Sequence, residues 1–557
     1  MSAQLPDYVA SARPVSAAVR VPWYKSSAPT YAGVMLWVVF WQDIAAGKAN
    51  DAGIAKTLGG TLAAGLMVPI LAVIAAALIC HLACYLAPGL MGQKTGLSLA
   101  VVGTSTYGTT GGFFMPGFFM GVLQFGWLGV NSYFSSMLLA MTAGYPVNGS
   151  IHFGIGIAWA CLAAFLGLKG IQYVAKVSTY LPLIPVAILL LLFVKTMGGL
   201  GGFEPSKTGV IGEPAATAVH VAETPKTASG TSDSAATIPA AVYARMEETD
   251  SGETLLEQLE NAVVTTEEAV KDAVLPVIDS VEKTAIEEQK LMGEVPADEQ
   301  LPAVGSAAIF LGLLAYIVGF FATAGAAGVG ISSSCATTKD AHRAGMGGIV
   351  AVTCFSAILA ILIVAGAYGT PDIAAKLTAA GNPMRVPNLM DAILGSGMAK
   401  ICMFGLAIAA FPSACFCSLV AADSFKNTLP KVNPFISCGI GTLCAIALVV
   451  SKYAGAANDV FELIGASFGP ICGAMTADYL LAGCKWPGPR AGFNPAGWLS
   501  WAIGFVVGIW NKIPSCANIF EMPCPPVAAI ITGFVLYVLF AKAGMLSRSI
   551  EFNPEKG

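Results

Sequence analysis

Between Lys56 and Lys169 the chain carries one formally charged side chain, Lys94, in 112 residues. A charge at the centre of a bilayer costs about 3 kcal/mol on insertion scales, so charge-free runs of this length mark segments built for hydrocarbon. Such runs recur at 300–338, 344–371, 401–422, 432–451, 491–511 and 522–541. Charged residues are 11% of the chain and mean hydropathy is +0.72, where a globular domain holds roughly a quarter charged residues. These features predict an all-α, polytopic membrane protein.

Twelve apolar segments are each close to the ~20 residues that cross ~30 Å of hydrocarbon. They fall near 29–49, 58–87, 113–141, 151–168, 171–197, 304–331, 345–368, 399–422, 433–451, 460–482, 493–511 and 525–543. The organisation read from them is a leader at 1–28, spans one to five within 29–202, an insert at 203–303, spans six to twelve within 304–545, and a tail at 546–557. The leader contains Arg13, Arg20 and Lys25 but no short apolar region with a cleavage site, so it is not read as a signal peptide. With the N-terminus inside, 15 basic residues fall in inner loops and tails, against 8 in outer loops and helix ends outside the insert. The positive-inside rule then predicts cytoplasmic termini in a plasma (inner) membrane and an extracytoplasmic insert.

That insert holds 20 of the 33 acidic residues and 6 of the 29 basic ones, which leaves a membrane body with a basic excess. Residues 203–240, rich in Ala, Thr, Ser, Pro and Gly, have the composition of a tether. Residues 252–292 place Leu256, Leu259, Val263, Val270, Val274 and Val281 at helical spacing among acids, with Pro276 as a breaker. Two readings stay open: a hairpin that docks a protein partner or gates the body, and an acidic solvated appendage.

Most of the 14 cysteines lie in apolar spans, where Cys behaves as a small hydrophobe. Cys415 and Cys417 form a C-x-C without a second pair at metal spacing, so no metal site is read. Cys516 and Cys524 share the loop before the last span and are a candidate disulfide in an oxidising compartment. The four histidines form no cluster, and His81 on span two reads as a satisfied interface residue. There is no nucleophile elbow, P-loop or zinc-protease helix, so neither an embedded enzyme nor an ATP-driven pump has support.

In transporters built from inverted repeats, ligands bind where the first helix of each repeat is interrupted. With spans 1–5 and 6–10 as repeats, those helices are spans one and six. Span one sets Gln42 and Asp43 in an apolar run, and span six carries Gly325, Gly328 and Gly330 within six residues. Glycines weaken a helix and expose backbone groups; the competing reading is close helix packing. On span three, Gln124 and Trp127 are three apart and share a face. A carboxamide suits a heterocycle edge and an indole its face. Asp43 is also a candidate proton carrier, since an ionisable residue in a membrane helix is a functional candidate by default.

Further motifs carry a family resemblance. They are Lys94-Thr95-Gly96-Leu97, Gln124-Phe125-Gly126-Trp127-Leu128-Gly129-Val130, Val318-Gly319, Phe321-x-Thr323-Ala324-Gly325, Phe468-Gly469-Pro470-Ile471-Cys472-Gly473 and Ala477-Asp478-Tyr479-Leu480. In this order they resemble the cytosine/purine permeases of the nucleobase–cation symporter-1 (NCS1) family. The resemblance implies a leucine-transporter-like 5+5 inverted repeat plus two extra helices, and cation-coupled uptake of a nucleobase or related heterocycle by alternating access. It implies that Gln42 and Gln124 bond the base edge and that Trp127 and Phe321 cover its faces. Thr323 and the backbone near Gly325 would read polar atoms. Carbonyls of Trp37 and Phe40, with Ser413, would hold the cation. No cofactor beyond Na+ or H+ as coupling ion is implied. The partners read are a small heterocycle, that cation and the bilayer; no nucleic acid is read, and a protein partner is open only for the insert.

The chain departs from the family on span eight, where Ala407 stands for an asparagine and Ala410-Phe411 for paired hydroxyls. After span six, Ser332-Ser333-Ser334 and Lys339-Asp340 replace an acidic-aromatic-x-basic signature, and the insert has no counterpart. The alternative function is therefore a non-transporting sensor or scaffold that keeps the fold and signals through the insert.

Overall fold

A computed structural model of the protein describes residues 5–25, 27–37, 41, 44, 60–62, 65–169, 174, 178, 180–205, 306–379, 386–429, 431–455 and 457–552. Phe40, Gln42, Asp43 and nearly all of the 203–303 insert lie outside the described residues. Twelve helical segments match the twelve apolar runs: α1 Ser27–Met35, α2 Met67–Thr95, α3 Thr104–Thr142, α4 Ser150–Lys169, α5 Leu183–Gly202 and α6 Ser306–Ala326. They continue with α7 Thr338–Tyr368, α8 Ser396–Thr428, α9 Pro434–Val450, α10 Ala457–Leu481, α11 Pro495–Gly508 and α12 Pro525–Lys542. Among the described residues, nine helices are long and apolar enough to span a membrane, with α9 and α11 shorter. The protein is a multi-pass membrane protein.

Local chemistry sets the helix ends. Asn433 caps α9 by accepting from Phe435 N at 3.0 Å, with Pro434 in the first turn. Thr337 and Asp340 form a reciprocal capping box at the start of α7. Gly96 closes α2 in the left-handed region at φ 66°. Early in α3 the backbone at Gly108 takes φ 82°, ψ 167°, and a Cβ there would stand 2.1 Å from the Gly492 carbonyl oxygen, so only glycine fits.

Packing divides the bundle into two helix quartets. One joins α1, α2, α6 and α7; the other joins α3, α4, α8 and α9. Each quartet takes the first two, or the third and fourth, helices of each five-helix half. The fifth helices complete the correspondence, because α5 packs on α7 and α8 while α10 packs on α2 and α3. This exchange is the expected 5+5 repeat, with α11 and α12 added against α10.

Burial follows position. In α6 and α10 78% of the most apolar stretch is buried, against 33% in α5 and α12. The outer helices turn Leu71, Ile401, Leu443 and Ile531 outward. Such side chains suit lipid, since with no water to hydrogen-bond, the bilayer penalises polar groups and not exposed apolar ones.

Candidate functional site

The two quartets meet around a small cavity. Val34 comes from α1, Trp37 follows its end, Gln124 and Trp127 come from α3, Thr323 and Phe320 from α6, and Ser413, Phe416 and Cys417 from α8. Residues far apart in the chain thus share one wall. The enclosed space is about 30 Å3, room for a water or two but not for a ring.

The wall is aromatic and tightly bonded. Trp127 donates its indole N–H to Thr323 Oγ1 at 3.0 Å. One of its faces stacks on Phe461 of α10 at 4.8 Å and 29°, and Phe320 meets it edge-on at 5.2 Å. Trp37 lies 6.1 Å from Trp127 and 6.3 Å from Phe320 between ring centres. Gln124 is buried, and its Nε2 donates only to the Met120 sulfur at 3.4 Å, a weak acceptor. Among the described residues Trp37 Nε1–H has no acceptor, although Trp37 is 2% exposed.

A second cavity of about 300 Å3 lies along the same helices. Its wall includes Arg13 and Lys25 of the N-terminal segment, Ser98, Met120, Asp423 and Asn427. Phe416 lines both cavities. Phe416 and the Met120–Gln124 pair therefore lie where the larger cavity, a vestibule with Arg13, Lys25 and Asp423 on its wall, adjoins the aromatic one.

Of the site residues read from the sequence, Trp37, Gln124, Trp127, Thr323 and Ser413 come together here. Phe321 does not line the cavity: it is fully buried and packs on Tyr31 at 5.8 Å, while Phe320 faces inward. Gly325 is held by packing, since a Cβ there would stand 2.6 Å from Cys84 Cβ. The break in span six is short. Helix α6 ends at Ala326 and a five-residue turn, Gly328–Ser332, follows Ala327. The Ala324 carbonyl beside it accepts from Tyr31 OH at 3.1 Å. Phe320, Phe416 and Phe461 carried no sequence signal beyond being apolar, and Cys417 stood out only as part of a C-x-C.

Three further expectations meet particular surroundings. Cys516 and Cys524 are free thiols, so the candidate disulfide is absent. His81 is not satisfied: its Nδ1 has no partner, and the ring stacks on Tyr85 at 5.7 Å within the π-helical turn Cys80–Tyr85. Asp478 is buried in a network in which Arg490 Nη1 donates to its Oδ1 at 2.8 Å and Tyr537 OH does the same at 2.8 Å.

The fold is that of a leucine-transporter-like membrane protein, with a candidate site in the cavity between two helix quartets. Among solved structures the chain is similar to Mhp1, a nucleobase-cation-symport-1 family transporter, in a closed conformation with bromovinylhydantoin bound, at TM-score 0.59 and 12% identity over 98% of each chain. It also matches an inward-facing conformation of Mhp1 at TM-score 0.55 and 13% identity, over 99% of this chain and 97% of that one. A substrate-bound, outward-open Na+-coupled sialic acid symporter matches at TM-score 0.54 and 12% identity, over 98% of this chain and 94% of the other. At these identities the likeness is one of fold. No family model and no curated sequence matches the chain.

Proposed function

We propose that the protein is a secondary active transporter that imports a nucleobase or related heterocycle with a cation by alternating access. The observation that carries this is the convergence of Trp127, Gln124 and Thr323 with Trp37 and Ser413 on one cavity between the quartets. An indole face and a carboxamide with spare bonding capacity are what a flat, hydrogen-bonding ring requires. The matched solved structures are of transporters, one with bromovinylhydantoin and one Na+-coupled.

Each side chain has a distinct part. Trp127 stacks on the ring through the face opposite Phe461, and Gln124 bonds the ring edge. Phe416 shifts to join cavity and vestibule, which opens the route toward the side of Arg13 and Lys25. The cation, Na+ or H+, sits beside Trp37 and Ser413, with the membrane oriented so that both termini are cytoplasmic.

The test is uptake of radiolabelled nucleobases and hydantoins by proteoliposomes, with and without imposed Na+ and proton gradients. Accumulation that collapses with one gradient supports the reading and names the ion. Saturable binding without accumulation would instead favour a sensor that signals through the 203–303 insert.

A further inference from the structure

The hydrogen-bonding balance of the cavity wall is uneven. Trp37 lines the cavity, is buried, and among the described residues its Nε1–H has no acceptor. Buried donors of this kind are uncommon in native proteins and call for an explanation. The neighbouring rings of Trp127 and Phe320 present no oxygen or nitrogen acceptor to it.

Two other groups have unused donors. Thr323 Oγ1 accepts from Trp127 and makes no other hydrogen bond among the described residues, which leaves its hydroxyl proton available. Gln124 has two amide protons and engages only a sulfur. Among the described residues no carboxylate lines the cavity, and the Gln124 carbonyl is its one strong side-chain acceptor outside the hydroxyls. The wall is rich in donors and poor in acceptors.

We infer that the Trp37 indole N–H is a specificity-determining donor that reads a ring carbonyl, so that the site prefers dioxo heterocycles over amino-substituted ones. This rests on the transport reading and deepens it. An oxo group at each of two ring positions supplies acceptors to Trp37 and to Thr323 or Gln124. An exocyclic amine in the same place puts donor against donor, and a site built for one pattern rejects the other strongly. The role belongs to the side chain of Trp37, separately from its backbone carbonyl.

The experiment uses the purified full-length protein and isothermal titration with uracil, xanthine, cytosine and adenine. Wild type should bind the dioxo rings at least tenfold tighter than the amino rings. Trp37→Phe keeps the ring packing and removes only the N–H. It should weaken uracil and xanthine tenfold or more, change cytosine and adenine less than twofold, and leave Tm unchanged or higher. A second measurement needs no variant: of 2-thiouracil and 4-thiouracil, one should bind wild type about tenfold more weakly than uracil, because sulfur is the poorer acceptor. Equal uracil affinity in wild type and Trp37→Phe, or equal losses for dioxo and amino rings, overturns the inference and leaves the transport reading standing. Failure of wild type to bind any of the four rings overturns the inference, and the uptake assay with nucleobases and hydantoins decides the transport reading separately.

Discussion

At the scale of single residues, the cavity separates contact that ignores ring identity from contact that reads it. Trp127→Ala should weaken every accepted heterocycle by roughly 1–3 kcal/mol, since every base has a π-face. Gln124→Ala should instead hit ligands unequally, hardest those whose edge groups lose the amide. Titration of a ligand panel against both variants, at matched Tm, checks this; equal losses throughout would point to helix packing. Pattern alone named Gln124 and Trp127, because three residues apart on a helix is one face. The family resemblance implied Phe321, whereas Phe320 lines the cavity; neighbours on a helix are about 100° apart and only packing tells which one faces it.

At the scale of elements, Phe416 on α8 lies where the vestibule and the aromatic cavity adjoin. Cys417, its neighbour in the chain, lines the aromatic cavity. In a background where Cys417 is the sole cysteine, Phe416→Ala should raise its labelling rate by a small polar thiol reagent severalfold. An unchanged rate would remove Phe416 from the barrier. Elsewhere, Arg490 bonds Asp478 of α10, Tyr537 of α12 and the Ser105 carbonyl of α3, and Thr106 adds a bond to Asp478 at 3.3 Å. Breaking a buried pair from one side strands a charge, so Arg490→Leu should cost about 3–5 kcal/mol. Denaturant or thermal unfolding reads that loss, and adding Asp478→Leu should recover part of it. The sequence flagged Asp478 but not its partner, since Arg490 lies in a loop and joins the network only through folding.

For the whole molecule, the membrane body and the acidic insert separate by composition. Replacing residues 205–300 with a short flexible linker should leave heterocycle binding by the body within about threefold of wild type, because every described cavity residue lies outside that segment. Titration on the folded deletion variant checks this. Loss of binding at unchanged Tm would make the insert part of the site.

What the sequence determined by itself is what hydrocarbon imposes: twelve apolar segments with few charges, helical because an isolated backbone in lipid must satisfy its own hydrogen bonds. The repeat halves, the acidic insert and the paired Gln124 and Trp127 were legible for related reasons of charge, composition and spacing. Tertiary structure alone decided that Phe320 faces the cavity, that Gly325 serves packing against Cys84, that Cys516 and Cys524 stay apart, and that Trp37 keeps an unbonded N–H. Each of these turns on which side of a helix meets which neighbour. That is set by close packing between segments hundreds of residues apart, and a linear pattern does not contain it.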